Sequence, residues 1–447
     1  MSSQTTTTSS SRIVAAFADH MVAQNATPAW WQQMKKKAFD LYRALPMPTR
    51  KQEQWRFATI NGLDLDGYDF NVAAPEAERL ALAHCSRLVD DRAGRLVFAD
   101  NQLVTHERIS ADLEKRGVIF EPLSDALQKH RELLQEYFMA QEAHLGSDKF
   151  AALHSAFATA GCLLYVPPGV TVELPFVVRH WAAAENAVVL PHTLVIAGDN
   201  ARVTLVDVFA ARERTQRNLA CGVNHLFAGR GSHINYYALQ NWSNQTLAFQ
   251  LNSLIASQDA TINSLTVNMG CSHYRSETNS ILKGAGSHAE MLSLSVTDRD
   301  QEVDQRTLQT HLAPNSKSNL LFKNALADDS RTIFSGLIRV AEDAQKTDAY
   351  QSNRNLLLSD TAEANSLPGL EIQANDVRCT HGATTSQIDD SEIFYLLARG
   401  ITPTKARELL VFGFFEEVIS QIQNEQLAER VRELILQKFR EEEARRI

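Results

Sequence analysis

A cysteine and a histidine two positions apart, Cys379 and His381, stand in the stretch DVRCTHGATTSQIDD near the end of the chain. On an extended segment alternate side chains point to the same face, so the pair would lie roughly 6.5 Å apart along a strand. Thiolate and imidazole are common metal ligands, but a structural zinc takes about four protein ligands. The pair is therefore either ordinary core packing or part of a metal site whose other ligands come from elsewhere.

A second pair with the same spacing, Cys271 and His273, follows Gly270 and is predicted to lie in a turn in the middle of a repetitive region. The first pair instead falls on the last repeat, beside an edge that a second chain could extend. This position favours Cys379 and His381 as the functional pair.

Several kinds of chemistry are excluded by missing motifs and by charge. The chain has no GxxxxGK[ST], HExxH or GxSxG motif, so it is not itself a P-loop ATPase. Its formal charge of −9 is spread along the chain, which argues against a nucleic-acid partner. No stretch is predicted to span a membrane. The five cysteines are widely separated and form no CxxC pair, which predicts a reducing, cytoplasmic location.

The N-terminal third is predicted to be mainly helical. Residues 1–12, MSSQTTTTSSSR, lack the apolar core of a secretory signal and are predicted to be a disordered tail, with an organellar transit role left open. Residues 13–150 form a helical domain, in which PAWWQQMKKKAFDLYRALPM has apolar residues at helical spacing.

Residues 151–388 carry an internal repeat of short apolar runs separated by turns of Gly, Asp, Asn or Ser. Four aligned turns begin at Ala197, Ala228, Ala256 and Lys283, a spacing of 27 to 31 residues. Such a period in a β-only sequence predicts a parallel β-helix, with a β-sandwich as the alternative. The ends of a β-helix expose unpaired strands and need a cap or a partner.

Residues 389–447 are predicted to form a C-terminal helical domain. Asp389, with Glu392 three residues on, is placed to cap a first helix, and Gly400 is placed to follow its end. A second helix is predicted to start at Thr402, with Pro403 in its first turn. The mixed-charge run from Lys438 to Arg446 is predicted to be a solvated helix end. The fold class is thus mainly β, with the β-helix between two helical domains.

The stretch from Asp343 to Ile401 contains QKTDAYQ, NLLLS and RCTHGAT in series and closely resembles the C-terminal signature of the SufB/SufD family, subunits of the Suf iron–sulfur cluster assembly machine. The resemblance continues upstream through HLAPNSKSNLLFKNALADDSRTIFSGLIRV and, more loosely, TRKQEQWRFATI. RCTHGAT is most like the SufD branch. The TTS that follows is closer to the SufB branch, and Leu367 and Gly369 depart from the SufD habit.

The resemblance implies a fold, partners and a site. The family fold is a right-handed parallel β-helix between helical domains. Its implied partners are SufB, joined as a heterodimer through the C-terminal region of the β-helix, and the ATPase SufC, docked on the C-terminal helices. His381 would supply a ligand to a nascent cluster site whose key cysteine is on SufB. A transient iron–sulfur cluster or iron would lie at that interface, with none stably bound to the isolated chain; flavin binding and a homodimer of the isolated chain stay open.

The implied function is that of a non-enzymatic scaffold subunit that shares a cluster site with SufB and contributes to iron acquisition. The alternatives are a SufB-like scaffold paralogue or a carbohydrate-active β-helix enzyme, which would need clustered Asp, Arg or Lys on one solenoid face. The resemblance and an apolar helix face predict the SufC contact, although intrachain packing explains that face about as well. The predicted contact residues are Leu409, Leu410, Phe412, Phe414 and Phe415.

Overall fold

The computed structural model describes residues 6–60, 63–86 and 88–446. Within these ranges the N-terminal part holds helices α1 (Thr6–Ala23), α2 (Ala29–Ala44), α3 (Glu76–His84), α4 (Ala111–Lys115), α5 (Leu123–Lys129), α6 (Arg131–Tyr137) and α7 (Asp148–Phe157), a 3₁₀ turn (Glu53–Trp55), and strands β1 (Gly94–Ala99), β2 (Gln102–Glu107) and β3 (Ile119–Pro122).

Helix α1 differs from the disordered tail predicted over residues 1–12, because it begins at Thr6; residues 1–5 lie outside the described residues. Ile13 and Phe17, one turn apart, are buried, and the Phe17 ring stacks on Phe39 of α2. Once such packing has nucleated a helix, each further residue adds a hydrogen bond at little cost, so the Ser/Thr tract can continue the helix.

The central part is built almost entirely of strands. They are β4 (Gly161–Val166), β5 (Phe176–Ala182), β6 (Val188–Val189), β7 (His192–Ala197), β8 (Arg202–Ala211), β9 (Leu219–Ala228), β10 (His233–Asn241), β11 (Leu247–Ala256), β12 (Thr261–Asn268), β13 (His273–Leu282), β14 (His288–Thr297), β15 (Glu302–His311), β16 (Lys317–Leu326), β17 (Arg331–Val340), β18 (Asp348–Leu357), β19 (Glu363–Ile372) and β20 (Arg378–Gln387).

These strands alternate between two sheets, which confirms a parallel β-solenoid and not a sandwich. The first sheet has the order β2-β1-β5-β8-β10-β12-β14-β16-β18-β20, and the second has the order β19-β17-β15-β13-β11-β9-β7-β4-β3. From β5 and β4 onward every pairing along these two orders is parallel. Strand β1 already pairs parallel with β5, so the solenoid begins before the predicted boundary at residue 151.

The predicted turns stack on one another. Gly229 N–H donates to the Ala197 carbonyl at 2.8 Å, and Ser257 N–H donates to Ala228 at 3.0 Å. Each turn also holds one residue with positive φ, a conformation that Gly, Asn and Asp adopt most easily. These equivalent residues are Asn200, Gly231, Asp259 and Gly286. The common turn chemistry of the repeats therefore reflects one backbone geometry.

The C-terminal part forms helices α8 (Asp390–Leu397), α9 (Pro403–Ile419) and α10 (Glu425–Arg446). Asp389 caps α8 as predicted, because it accepts from Ser391 N–H at 2.8 Å, and Gly400 follows this helix with φ of 79°. Helix α9 begins at the predicted place, where Thr402 accepts from Lys405 N–H at 3.4 Å.

Helices cover part of the outer face of each solenoid sheet, and the faces of parallel sheets are generally covered in this way. Buried side chains of α9 and α10 pack on the first sheet, where Val411 and Phe415 join a cluster with Leu265 and Leu292. The N-terminal helices pack on the second sheet, where Phe150 of α7 stacks on Phe249.

The two ends of the solenoid differ. At the N-terminal end, β2 and β3 pair antiparallel with β1 and β4 and close the first coil. At the C-terminal end, β20 and β19 are the last strands of their sheets, so each has a strand neighbour on one side within the described chain. The C-terminal end is therefore open to extension by another strand.

Candidate functional site

Cys379 and His381 lie on β20, the last strand of the first sheet. Cys379 is in register with Ala349 of β18, and His381 is in register with Gln351. Ala349 and Gln351 are buried inside the solenoid, whereas the intervening Tyr350 is 41% exposed. Because registered residues of stacked parallel strands point to the same face, the pair continues the inward-facing column of the solenoid at its open end.

Cys379 is partly buried and packs beside Ile338, Val340 and Ala349. Removal of the thiol from water raises the pKa of Cys379 above its usual value; a backbone hydrogen bond at Ala349 lowers this pKa, and the charge of Asp348 raises it. The thiol is therefore mostly protonated at neutral pH and is a weak ligand until a metal displaces the proton.

His381 is exposed at the edge of β20. A side chain placed on the neighbouring Gly382 would meet no heavy atom within 4 Å, so the outer face of the strand, opposite to the His381 side chain, is open at this position. A second backbone could approach β20 from this face.

Gln351 of β18, the residue in register with His381, has a buried amide side chain. Gln351 donates from Nε2 to the Gly336 carbonyl at 3.3 Å, while its buried Oε1 has no hydrogen-bond partner among the described residues. Polar side chains also line the interior nearby: Ser366 donates to Asn353 Oδ1 at 2.7 Å, and Asn355 donates to the same atom at 2.9 Å. The repeat pattern predicted the strands but did not single out these inward-facing amides.

The site holds two ligand-type side chains. Nowhere in residues 6–60, 63–86 and 88–446 do three or more His, Cys, Asp or Glu residues form a group that could hold a metal ion. A cluster usually takes about four protein ligands, so this end of the chain could supply part of a site completed by another molecule.

The second Cys-x-His pair has a different setting. Cys271 is buried in a turn with φ of 81°, and its sulfur accepts a hydrogen bond from Gln240 at 3.2 Å. Burial raises the pKa of the Cys271 thiol well above its usual value. This cysteine therefore has a packing role inside the solenoid, as its mid-repeat position suggested.

The five residues predicted to contact SufC do not share one exposed face. Phe415 is fully buried against the first sheet, Phe412 and Phe414 are partly buried beside the same cluster, and Leu410 is half-buried. Leu409 is 43% exposed. Helix α9 therefore uses Phe415 to hold the solenoid, and the contact of this helix with SufC stays a prediction.

Exposed apolar side chains that sequence reasoning missed lie on α8. Phe394 is 71% exposed and Tyr395 is 55% exposed, and the Arg399 guanidinium lies 3.6 Å from the centre of the Tyr395 ring. The run EIFYLL was the available signal, since its consecutive bulky residues cannot all face the core of one short helix.

The open end of the solenoid also exposes apolar side chains. Leu370 and Ile372 of β19 are 38% and 40% exposed. The edge of β19 thus combines unpaired backbone groups with apolar surface, a combination that favours association with another strand. None of the helices in the described ranges is long and apolar enough to cross a membrane.

Two family models together match nearly the whole chain. Residues 13–178 match the SufBD protein N-terminal region, and residues 180–414 match the SufBD core domain of SUF system FeS cluster assembly. The chain is 25% identical to the iron–sulfur cluster assembly protein SufB of Bacillus subtilis over 415 residues, which cover 90% of this chain and 88% of that protein.

Two further relatives match equally broadly. The iron–sulfur cluster assembly protein SufD of Bacillus subtilis is 25% identical over 400 residues, covering 88% of this chain and 91% of that protein. An iron–sulfur cluster assembly SufBD family protein of Staphylococcus epidermidis is 25% identical over 426 residues, covering 90% of this chain and 88% of the relative. Since the core-domain match alone spans more than half of the sequence, the chain belongs to the SufBD family of iron–sulfur cluster assembly proteins.

Proposed function

We propose that the chain is a SufD-type, non-enzymatic subunit of an iron–sulfur cluster assembly complex and contributes His381 to a nascent cluster site shared with a SufB-type chain. The observation that carries the proposal is the position of His381 and Cys379 on the terminal strand of an open solenoid. The cluster, or iron on its way to it, is the cargo of this site and is held transiently.

The SufB-type partner would join through β19 and β20. Strand addition at these edges satisfies backbone groups in both chains, and burial of Leu370 and Ile372 adds an apolar contribution. A site at such a junction draws ligands from two chains, which accounts for an incomplete ligand set in this one.

His381 is the stronger ligand candidate within the pair. An imidazole binds metal ions as a neutral ligand, whereas the thiol of Cys379 has a raised pKa and is packed against the solenoid interior.

The rival functions fit less well. A carbohydrate-active β-helix enzyme needs free carboxyl groups on one face, but Glu277 and Asp304 on the outer face of the second sheet are both engaged by Arg275. A SufB-like scaffold role has no comparable obstacle and stays the alternative, because RCTHGAT is most like the SufD branch whereas the following TTS, Leu367 and Gly369 depart from it.

The test is His381→Ala in cells that depend on this assembly system. We expect normal expression, an unchanged melting temperature and an intact complex with the SufB and SufC partners, together with loss of cluster maturation. Maturation is measured as the activity of an iron–sulfur enzyme and as the cluster absorbance of the purified complex.

Two matched variants serve as controls. Cys379→Ala should reduce maturation less, since a small packed thiol can be replaced with modest loss. His273→Ala removes the histidine of the other Cys-x-His pair and should leave maturation intact. Normal maturation with His381→Ala, or failure caused by dissociation of the complex, would sink the proposal.

A further inference from the structure

A groove of about 820 Å³ lies on the outer face of the second sheet, in a region that the N-terminal helices leave uncovered. Its floor is made by β13, β15, β17 and β19, and its walls are residues 53–57 and the loop at His144 and Leu145. Small-molecule sites typically occupy clefts of about 300–1,000 Å³ at junctions between domains. The groove has this size and this position, and it is separate from the strand that carries His381.

The floor of the groove is apolar. Leu308 and Leu337 are registered neighbours on adjacent coils, and Ile281 lies beside them. The next registered position on β19 is Gly369, where a side chain would contact Leu337 at 3.4 Å. The lack of a side chain at Gly369 keeps the floor open toward the end of the solenoid.

One cation at the floor is buried and held in a fixed orientation. The Arg306 side chain is 5% exposed, and Asp304 accepts hydrogen bonds from its Nε at 2.6 Å and from its Nη2 at 3.4 Å. Its Nη1 donates to no other residue that the structure describes, and Arg306 lines the groove. A planar guanidinium held on one side in this way presents its remaining N–H groups in a defined direction.

A network of buried ion pairs holds the groove in shape. Arg275 binds Asp304 at 2.5 Å and donates to the backbone carbonyls of Gln54 at 3.0 Å and Leu145 at 2.8 Å. Its guanidinium also lies 3.8 Å from the centre of the Trp55 ring. Arg275 thus joins both walls to the residue that orients Arg306, so the cavity is formed before any ligand enters.

The charge of the lining is opposite to that of the chain. Three arginines line the groove, Arg56, Arg306 and Arg339, against one carboxylate, Glu53, in a chain of formal charge −9. Arg339 is paired with Glu371, whereas Arg56 is exposed beside the Phe57 ring. From this apolar floor and cationic rim, we propose that the groove binds a small organic anion with an apolar or aromatic body.

The test uses two dyes that differ in charge. 8-Anilinonaphthalene-1-sulfonate carries an aromatic body and an anion, and N-phenyl-1-naphthylamine is its neutral counterpart. Both are titrated by fluorescence against the full chain and its variants. Loss of a charge-assisted hydrogen bond weakens binding by about tenfold. Arg306→Gln and Arg56→Gln should therefore weaken binding of the sulfonate dye by about this factor and leave binding of the neutral dye unchanged.

Two variants locate the dyes. Leu337→Glu places a carboxylate on the apolar floor and should weaken binding of both dyes. Arg230→Gln removes an exposed arginine of a distant solenoid turn and should change neither. If Arg306→Gln lowers the melting temperature, weaker dye binding by that variant no longer reports on the groove alone. The Arg56→Gln variant, at an exposed position, then tests the proposal. Unchanged sulfonate binding in Arg56→Gln, equal weakening of both dyes there, or undiminished binding in Leu337→Glu would each overturn the proposal.

Discussion

Lys438 of α10 and Asp298, in the turn after β14, form an ion pair at 2.5 Å, and both side chains are at most 5% exposed. Lys438 also donates to the Met269 carbonyl and to Gln301 Oε1, each at 2.9 Å. The start of the mixed-charge run predicted to be a solvated helix end is therefore an attachment of the C-terminal helices to the solenoid.

We expect Lys438→Ala to destabilise the chain by about 3–5 kcal/mol, because removal of the ammonium breaks the buried ion pair with Asp298 and the hydrogen bonds to Met269 and Gln301. Urea unfolding followed by circular dichroism measures the loss. Arg430→Ala is the matched control, since its ion pair with Glu433 is exposed and should cost less than about 1 kcal/mol. Equal effects of the two changes would contradict a structural role for the buried pair.

Leu409 and Phe415 allow the proposed SufC contact to be tested separately from packing on the same helix. Leu409→Glu, on the exposed face, should weaken binding of the proposed SufC partner with little change in melting temperature, as should Phe394→Glu on α8. Phe415→Ala should instead destabilise the chain by about 3–5 kcal/mol through loss of a fully buried aromatic side chain. Pull-down and thermal melting are read together, and full SufC binding by Leu409→Glu and Phe394→Glu would place the contact elsewhere.

Truncation after Ile401 is a poor test of the same contact. Helices α9 and α10 cover Leu265, Leu292 and their neighbours on the first sheet, so their removal exposes an apolar face of the solenoid. Loss of SufC binding in that variant would follow from misfolding as readily as from loss of the contact.

Alkylation should rank the cysteines by exposure. Cys85 is exposed, Cys379 is partly buried, and Cys162, Cys221 and Cys271 are buried. With iodoacetamide at pH 7.5, mass spectrometry of the native chain should show Cys85 modified first and Cys379 more slowly, with the buried three unmodified until urea is added. Because burial raises the pKa of Cys379, its rate should keep increasing above pH 9 as the thiolate forms. A Cys379 rate at pH 7.5 equal to that of Cys85 would contradict this environment.

A buried histidine pair should make stability fall in acid. His154 Nδ1 lies 2.8 Å from the Cys221 carbonyl, which can only accept, so the proton is on Nδ1 and Nε2 accepts from His192 Nδ1 at 3.0 Å. Burial lowers the pKa of His154 to about 3 and that of His192 well below 6.5. The unfolded chain then binds more protons below pH 6.5, so the free energy of unfolding decreases as the pH falls from 6.5 toward 3.

Each such histidine contributes up to about 1.4 kcal/mol per pH unit to this slope. His154→Asn should lower stability at pH 7 but make the dependence between pH 6.5 and pH 4.5 shallower, as measured by urea unfolding at each pH. An unaltered slope in His154→Asn would show that other groups dominate the acid response.

The sequence by itself was sufficient to predict the repeating architecture and to select Cys379 and His381 as the candidate ligands. A period of 27 to 31 residues specifies a solenoid because each coil makes the same turn and the same pairing with its neighbours. Local signals of this kind also located the cap at Asp389 and the helix start at Thr402, and they put Cys379 and His381 on the last coil. These features depend on residues close together in the sequence, so periodicity and capping rules can identify them.

Only the tertiary structure determined which apolar side chains pack on the solenoid and which face solvent. Phe415 and Leu409 have the same apolar character in the sequence, yet one holds the solenoid and the other faces solvent, because the position of α9 on the first sheet depends on side chains more than 100 residues away. The position of Gln351 in register with His381 likewise results from stacking of the coils. The contacts of Arg275 with Trp55 and Asp304 result from docking of the N-terminal part on the solenoid. Contacts between distant segments leave no periodic trace, since each depends on the rotation and register of two elements that the local sequence does not encode.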